Sequence, residues 1–145
     1  MSHPALAKCL LTAFCALQGT ATIVLDLNRT HALHPQWPGH ARFHVVWQTV
    51  TVALLSVFAI SLIWARGPLE SERFYTSALL ASLPIIGFFA ALVTGRIYGG
   101  TLSDPDGIPP VIVNLNGRSR RIDLNLVAEI AGLVTMILLI GLYRS

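Results

Sequence analysis

Four long apolar stretches constrain this chain more than any other feature of its sequence. They cover residues 9–25, 43–65, 74–95 and 124–143, and the last carries one charged residue, Glu129. Each approaches or exceeds the roughly 17–25 residues that cross a bilayer as a helix. The sequence therefore predicts an all-α membrane protein, a four-transmembrane-helix bundle. Its helices are expected at about residues 5–26, 38–65, 74–96 and 124–143.

The composition limits domain number, location and partners. Charged residues make up 12% of the chain, about half of the usual fraction. Four short helices cannot bury two separate cores, so residues 1–145 are expected to form one domain in the lipid bilayer, as a multi-pass protein of an undetermined membrane. The net charge of +3 does not indicate a nucleic-acid partner, because most arginines lie scattered at helix ends. The sequence is compatible with assembly of several copies into a homo-oligomer. A cleaved signal peptide is the alternative interpretation of the first apolar stretch.

Polar residues at helix ends gather on one side of the predicted bundle. An even number of crossings separates Asp26, His44, Arg96 and Glu129, so all four are expected to face the same leaflet. This inference depends only on counting the spans.

Helical spacing divides these polar residues into stripes, because residues four apart share a helix face. The stripes are Gln18, Thr22 and Asp26 in helix one, His40, His44, Gln48 and Thr51 in helix two, and Asn125 and Glu129 in helix four. Polar faces in lipid turn toward protein or a water-filled cavity. The sequence therefore predicts a polar pocket among helices one, two and four.

Helix three and the loop after it have different patterns. Gly87, Ala91 and Gly95 form a small-residue stripe that is expected to pack against another helix, and Pro84 is expected to kink helix three. Residues 111–115 and 121–124 partly alternate around Asn116-Gly117, which predicts a small β-hairpin. A mobile loop with turns at 104–105 and 106–107 is the alternative.

The segment between helices one and two holds four of the five histidines: His31, His34, His40 and His44. Their spacing allows a metal site, a haem ligand such as His44 or His40, or acid–base chemistry beside a carboxylate. The structural alternative makes His31 and His34 solvated loop residues. For His44 it is a stabilising hydrogen bond to Asp26 or Glu129. We assign no metal ligands.

Two resemblances concern this same segment. The motifs Asp26-x-Asn28-x-Thr30-His31 and Pro35-x-Trp37-Pro38-x-His40-Ala41-Arg42-Phe43-His44 resemble the signature of a family of small four-span membrane proteins from bacteria and fungi without a secure function. The Ala41-Arg42-x-His44 pattern also resembles styrene oxide isomerases. That resemblance implies haem b with His44 as its axial ligand. A protein without any cofactor is an alternative of equal weight.

A third resemblance concerns the predicted pocket as a whole. Its carboxylates and aromatic residues are similar to those of the sterol isomerase and sigma-2 receptor group of small helical bundles. By that resemblance Asp26, Glu129 and Trp47 would line a comparable pocket. This is an analogy of fold and composition.

These patterns together predict a membrane enzyme that isomerises a small lipophilic substrate or opens an epoxide. His44 is expected to act as ligand or base, with Asp26 and Glu129 as acid–base partners. His40 belongs to the same site, and Arg42 and Gln48 are expected to orient the reacting groups. The alternative is a non-catalytic protein for lipid or sterol binding, assembly or small transport.

Overall fold

The computed structural model describes residues 2–103, 108–115 and 117–145. Over these residues the elements follow one another in the order α1 (His3–Asp26), α2 (Gly39–Trp64), α3 (Glu70–Tyr98), β1 (Val111–Leu115), β2 (Arg118–Ile122) and α4 (Leu124–Arg144). All four helices are long and apolar enough to cross a membrane. The predicted multi-pass four-helix bundle with a small hairpin is therefore confirmed. The turns expected at 104–105 and 106–107, and Asn116, lie outside the described residues.

The third helix extends beyond the apolar stretch at both ends. Its first turn contains Glu70 and Glu72, and carboxylates at this position interact favourably with the partial positive charge of a helix N-terminus. The Lys8 ammonium donates to Glu70 at 2.9 Å and ties the start of α3 to α1. At the other end Gly99 has φ +71°, the left-handed conformation that commonly ends a helix at glycine.

The four helices form a ring in sequence order. Helices α1 and α3 each pack against both α2 and α4, whereas α2 and α4 lie diagonally opposite each other. The apolar core lies toward the end that carries the chain termini and comprises Ala7, Leu11, Cys15, Ala59, Ile63, Phe74, Ala78, Ala81, Ile85, Met136 and Leu139. The bundle is thus well packed at that end and more open at the end where Asp26 and His44 lie.

Polar contacts between helices satisfy backbone carbonyls inside the bundle. The Gln18 side-chain amide donates to the Ala81 carbonyl of α3 at 3.2 Å. Pro84 lacks an N–H group, so the carbonyl of Leu80, one residue before Ala81, has no helical donor. Helix α3 nevertheless continues through this turn. Gln18, which was predicted to belong to the polar stripe of helix one, thus connects α1 to α3.

The small-residue stripe of α3 does not pack as expected. Gly95 is buried, but Gly87 and Ala91 are exposed on the bundle surface. A Cβ atom added at Gly87 would meet no atom within 4 Å. The expectation was wrong for this stripe: Gly87 has no helix against it, Ala91 borders a cavity between α3 and α4, and Gly95 is buried against Gly100.

Close approach of α1 and α2 depends instead on Gly19. A Cβ atom at this position would lie 3.0 Å from Ser56 Cβ and 3.6 Å from Ala53 Cα. Small residues at such crossings allow two helix backbones to approach each other in membranes.

We expect Gly19→Leu to destabilise the bundle by about 1–3 kcal/mol, because the new side chain must push α1 away from α2. Gly141→Leu is the matched control, since the same change in α4 meets no atom within 4 Å. Thermal unfolding in detergent should show a lower Tm for the first variant alone. Equal Tm values would contradict the close contact.

Candidate functional site

The first half of the histidine-rich segment is a compact loop built by short-range hydrogen bonds. Asn28 Oδ1 accepts from the Thr30 amide at 2.8 Å and from the Thr30 hydroxyl at 2.7 Å. The Ala32 amide donates to the Asp26 carbonyl at 2.9 Å. These bonds satisfy backbone groups where α1 ends. Asp26, Asn28 and Thr30, three residues of the quoted motif, thus shape the chain at the helix terminus.

His31 and His34 are packed into this loop around Trp37. The Trp37 ring lies 5.5 Å from the His31 ring, edge to face, and 5.8 Å from the His34 ring. His34 is only 4% exposed, and its Nδ1 accepts from the Gln36 amide at 3.2 Å. The expectation of a solvated His34 was therefore wrong, because the Pro35-x-Trp37-Pro38 turn folds the indole ring over it.

Arg42 closes the loop from the first turn of α2. Its Nε donates to the Trp37 carbonyl at 3.0 Å, and its Nη2 donates to the Pro35 carbonyl at 3.0 Å. Such charge-assisted bonds to two carbonyls fix the path of the chain into the second span. The guanidinium group expected to orient reacting groups thus binds loop carbonyls.

The second half of the segment presents an aromatic row on the outer surface of α2. His40 and His44 are four residues apart, and their Nε2 atoms lie 3.1 Å apart, so one imidazole donates and the other accepts. The His44 ring stacks on Trp47 with a centroid distance of 5.7 Å. All three side chains are exposed on the bundle surface.

A groove beside this row has a cavity volume of about 390 Å³. We call it the α2–α3 groove. On α2 it is lined by His44, Trp47, Gln48, Thr51, Val52 and Leu55, and on α3 by Leu83 and Pro84. His44 and Leu55 are eleven residues apart on one helix, which corresponds to roughly 16 Å. The groove therefore runs along the bundle from the membrane surface toward the centre of the bilayer.

The two predicted carboxylates lie away from this groove. Asp26 accepts a hydrogen bond from the Thr49 hydroxyl at 3.3 Å, and Thr49 lies about 140° around α2 from His44. Glu129 is half-buried on α4, diagonally opposite α2. Asn125, from the same stripe, lines a smaller cavity of about 220 Å³ between α3 and α4.

The three polar stripes therefore do not converge on one pocket in the described part of the chain. The α2–α3 groove lies between helices two and three, whereas the sequence predicted a pocket among helices one, two and four. The rotation of α2 is the physical reason, because Thr49, Val52 and Ser56 are buried against its neighbours. The stripe of His40, His44 and Gln48 is exposed on the outer surface instead. Of the six predicted site residues, His44 and Gln48 line the groove and His40 adjoins it.

The groove has walls that the site prediction missed. Val52, Leu55, Leu83 and Pro84 were not predicted as site residues, and Trp47 was expected in the pocket without being one of the six predicted site residues. The sequence does not distinguish such residues, since the lipid-facing and groove-lining positions of a membrane helix are both apolar. The features noted on α3 were Pro84, which lines the groove, and the Gly87, Ala91 and Gly95 stripe, which does not.

The donor groups near His44 do not form a site for a metal or a haem within one chain. Among residues 2–103, 108–115 and 117–145, no group of three or more His, Cys, Asp or Glu side chains could hold a metal ion. A haem needs an axial imidazole nitrogen directed at the iron and apolar walls on both faces of the ring. His44 Nε2 faces His40, and its ring is covered by Trp47. These residues do not fit a haem.

Comparison with family models, with curated proteins and with solved structures finds no match for this chain.

We expect Arg42→Met to loosen the loop, because the two carbonyls of Pro35 and Trp37 lose their charged donor. The bond to Trp37 is partly buried and the bond to Pro35 is exposed, so we count only the first, at about 1.5–3 kcal/mol, the usual contribution of a hydrogen bond to a charged group. Amide exchange across residues 31–38 should therefore become at least about tenfold faster. Exchange is measured on protein in nanodiscs by mass spectrometry.

Arg29→Met is the matched control, since Arg29 is an exposed arginine of the same loop. If both variants exchange at the wild-type rate, Arg42 does not hold the loop.

Proposed function

We propose that this integral membrane protein is an enzyme that isomerises a small lipophilic substrate in the α2–α3 groove, with His44 as its acid–base group. Opening of an epoxide to a carbonyl compound is the reaction class that we favour. The observation that carries the proposal is the polarity of the groove, which has His44 and Gln48 at its membrane-surface end and Leu55 and Leu83 deeper in the bilayer.

This polarity suits a molecule with one polar end and an apolar body. Thr51 and Gln48 continue the polar side for two turns beyond His44, and Val52 lies on the wall. Ligand sites are mostly apolar with a few placed polar groups that fix orientation. A substrate dissolved in the bilayer would enter sideways, with its oxygen directed toward the imidazole.

The histidine pair supports proton transfer at that end. One imidazole of the pair must donate to the other across 3.1 Å, so a proton can be held between His40 and His44. Histidine changes its protonation near neutral pH, which suits it to general acid–base catalysis. His40 would thereby act as a positioning residue that fixes the tautomer of His44.

An isomerisation matches a site with one acid–base group. His44 in its protonated form donates the proton of Nδ1, the ring nitrogen that does not face His40, to the epoxide oxygen. One carbon–oxygen bond breaks with its electron pair going to that oxygen. A hydride shifts from the neighbouring carbon to the carbon left electron-poor, and the hydroxyl returns its proton to His44. The product is an aldehyde or ketone with the same atoms as the substrate, so no co-reactant is consumed and the imidazole ends as it began.

A second candidate is non-catalytic binding of a lipid or sterol in the same groove. The observation that favours it is the position of the carboxylates, because Asp26 bonds to Thr49 and neither it nor Glu129 lines the groove. An imidazole without a carboxylate partner can still form a hydrogen bond with a hydroxyl group of a ligand. The two candidates share the binding site and differ in turnover.

Loss of the imidazole should abolish turnover. We expect purified protein in nanodiscs to convert styrene oxide or a linear terminal epoxide to the carbonyl isomer, and His44→Ala to lower kcat by about 10²–10⁴-fold, the usual contribution of general acid–base catalysis. The products are separated by gas chromatography.

His3→Ala is the control variant, because His3 lies at the opposite end of the bundle beside Ser145. Wild-type turnover in His44→Ala, or none in the wild type with any epoxide, would overturn the enzymatic proposal. Binding without turnover would select the second candidate.

Trp47 should report occupancy of the groove. A brominated aryl alcohol is a small lipophilic quencher, and we expect it to quench tryptophan fluorescence in a saturable manner. Trp47→Phe should remove the saturable component, because Trp47 lines the groove. Trp64→Phe should keep it, since Trp64 donates to Thr12 near the other end of the bundle. Quenching that never saturates would argue against a defined site.

A further inference from the structure

The hairpin between α3 and α4 carries a basic strand. Strand β2 has the sequence Arg-Ser-Arg-Arg-Ile over Arg118–Ile122. It pairs antiparallel with β1, and the turn between them includes Gly117 at φ +73°. All three arginine side chains are exposed. The proposed isomerisation uses none of these residues.

The strand register sorts the hairpin side chains onto two faces. Val113 pairs with Arg120, and Val111 pairs with Ile122. Partners directly opposite each other in an antiparallel ladder share a face, and alternate residues of one strand do so too. One face therefore combines Val111, Val113 and Ile122 with Arg118 and Arg120. An apolar centre with arginines beside it is the composition of a surface that lies at a membrane interface.

This face is not used against the rest of the bundle to any large extent. The hairpin packs mainly on itself; 43% of Val111 remains exposed, whereas Val113 and Ile122 are half-buried. Ile122 lies two residues before Leu124, the first residue of α4, so the base of the hairpin is within roughly 7 Å of the start of a membrane span. Asp123 fixes this junction, because its Oδ1 accepts from the Asn125 and Leu126 amides at 2.9 and 3.1 Å.

We infer that the hairpin lies flat on the membrane surface and binds the phosphate groups of anionic phospholipids through Arg118 and Arg120. A guanidinium group binds phosphate oxygens in a bidentate manner, and valine and isoleucine side chains enter the interfacial layer beside it. The tether to α4 alone would let these arginines reach roughly 13–20 Å from the span, so the flat orientation is what keeps them at headgroup depth.

Lipid selection in mixed nanodiscs tests this inference. Full-length protein is reconstituted with equal amounts of phosphatidylglycerol and phosphatidylcholine, and the retained lipids are counted by native mass spectrometry. Each arginine near an anionic surface should favour the anionic lipid about fivefold, so Arg118→Gln/Arg120→Gln should reduce the preference by about 25-fold. High salt should weaken the wild-type preference.

Two further variants separate the explanations. Arg66→Gln/Arg144→Gln removes the same charge from the opposite end of the bundle, where the two arginines do not share one strand face, and should lower the preference clearly less than the hairpin variant does. Arg118→Lys/Arg120→Lys should keep most of it, because charge is retained while bidentate geometry is lost. Equal retention of both lipids by the wild type, or an equal loss in the Arg66→Gln/Arg144→Gln control, would overturn the inference.

Discussion

The absence of water from the hydrocarbon core is the constraint on which the rest of this structure depends. Polar groups between the spans are stabilised when they find partners inside the protein, although the buried Ser56 hydroxyl has none among the described residues. Gln18 donates to the Ala81 carbonyl and the Ser77 hydroxyl donates to the Ala59 carbonyl at 3.0 Å. These bonds connect α3 with α1 and α2 in the well-packed half of the bundle. Polar side chains that lack this role, such as His40 and His44, lie in the first turns of α2 toward the membrane surface, where water and lipid headgroups are available.

Much of the fold could be predicted from the sequence, because span length and charge depletion report directly on the bilayer. The hairpin was also predictable, although β2 begins at Arg118, three residues before the expected strand. Alternation of side chains weakens where arginines replace apolar residues, so the register could not be read from the pattern. The structure supplies it through the pairing of Leu115 with Arg118.

The candidate site was harder to predict because helical periodicity gives the face of a residue but not the neighbour of that face. Asp26 and His44 were both assigned to polar stripes on the same leaflet, and that much follows from spacing. However, Thr49 and His44 lie on different sides of α2, and only Thr49 faces Asp26. Which stripe meets which helix depends on the ring order of the bundle, and no single-sequence pattern encodes it.

The histidine-rich segment therefore contains two kinds of histidine with different physical roles. His31 and His34 pack with Trp37 and are enclosed by the loop that Arg42 closes. The loop thus fixes where the chain enters α2, because Arg42 donates to the Trp37 and Pro35 carbonyls. The rotation of α2 about its own axis follows from the residues that it buries against its neighbours, Thr49, Val52, Ser56, Ala59 and Ile63. This packing leaves His40 and His44 on the exposed side of the helix, where His44 lines the α2–α3 groove.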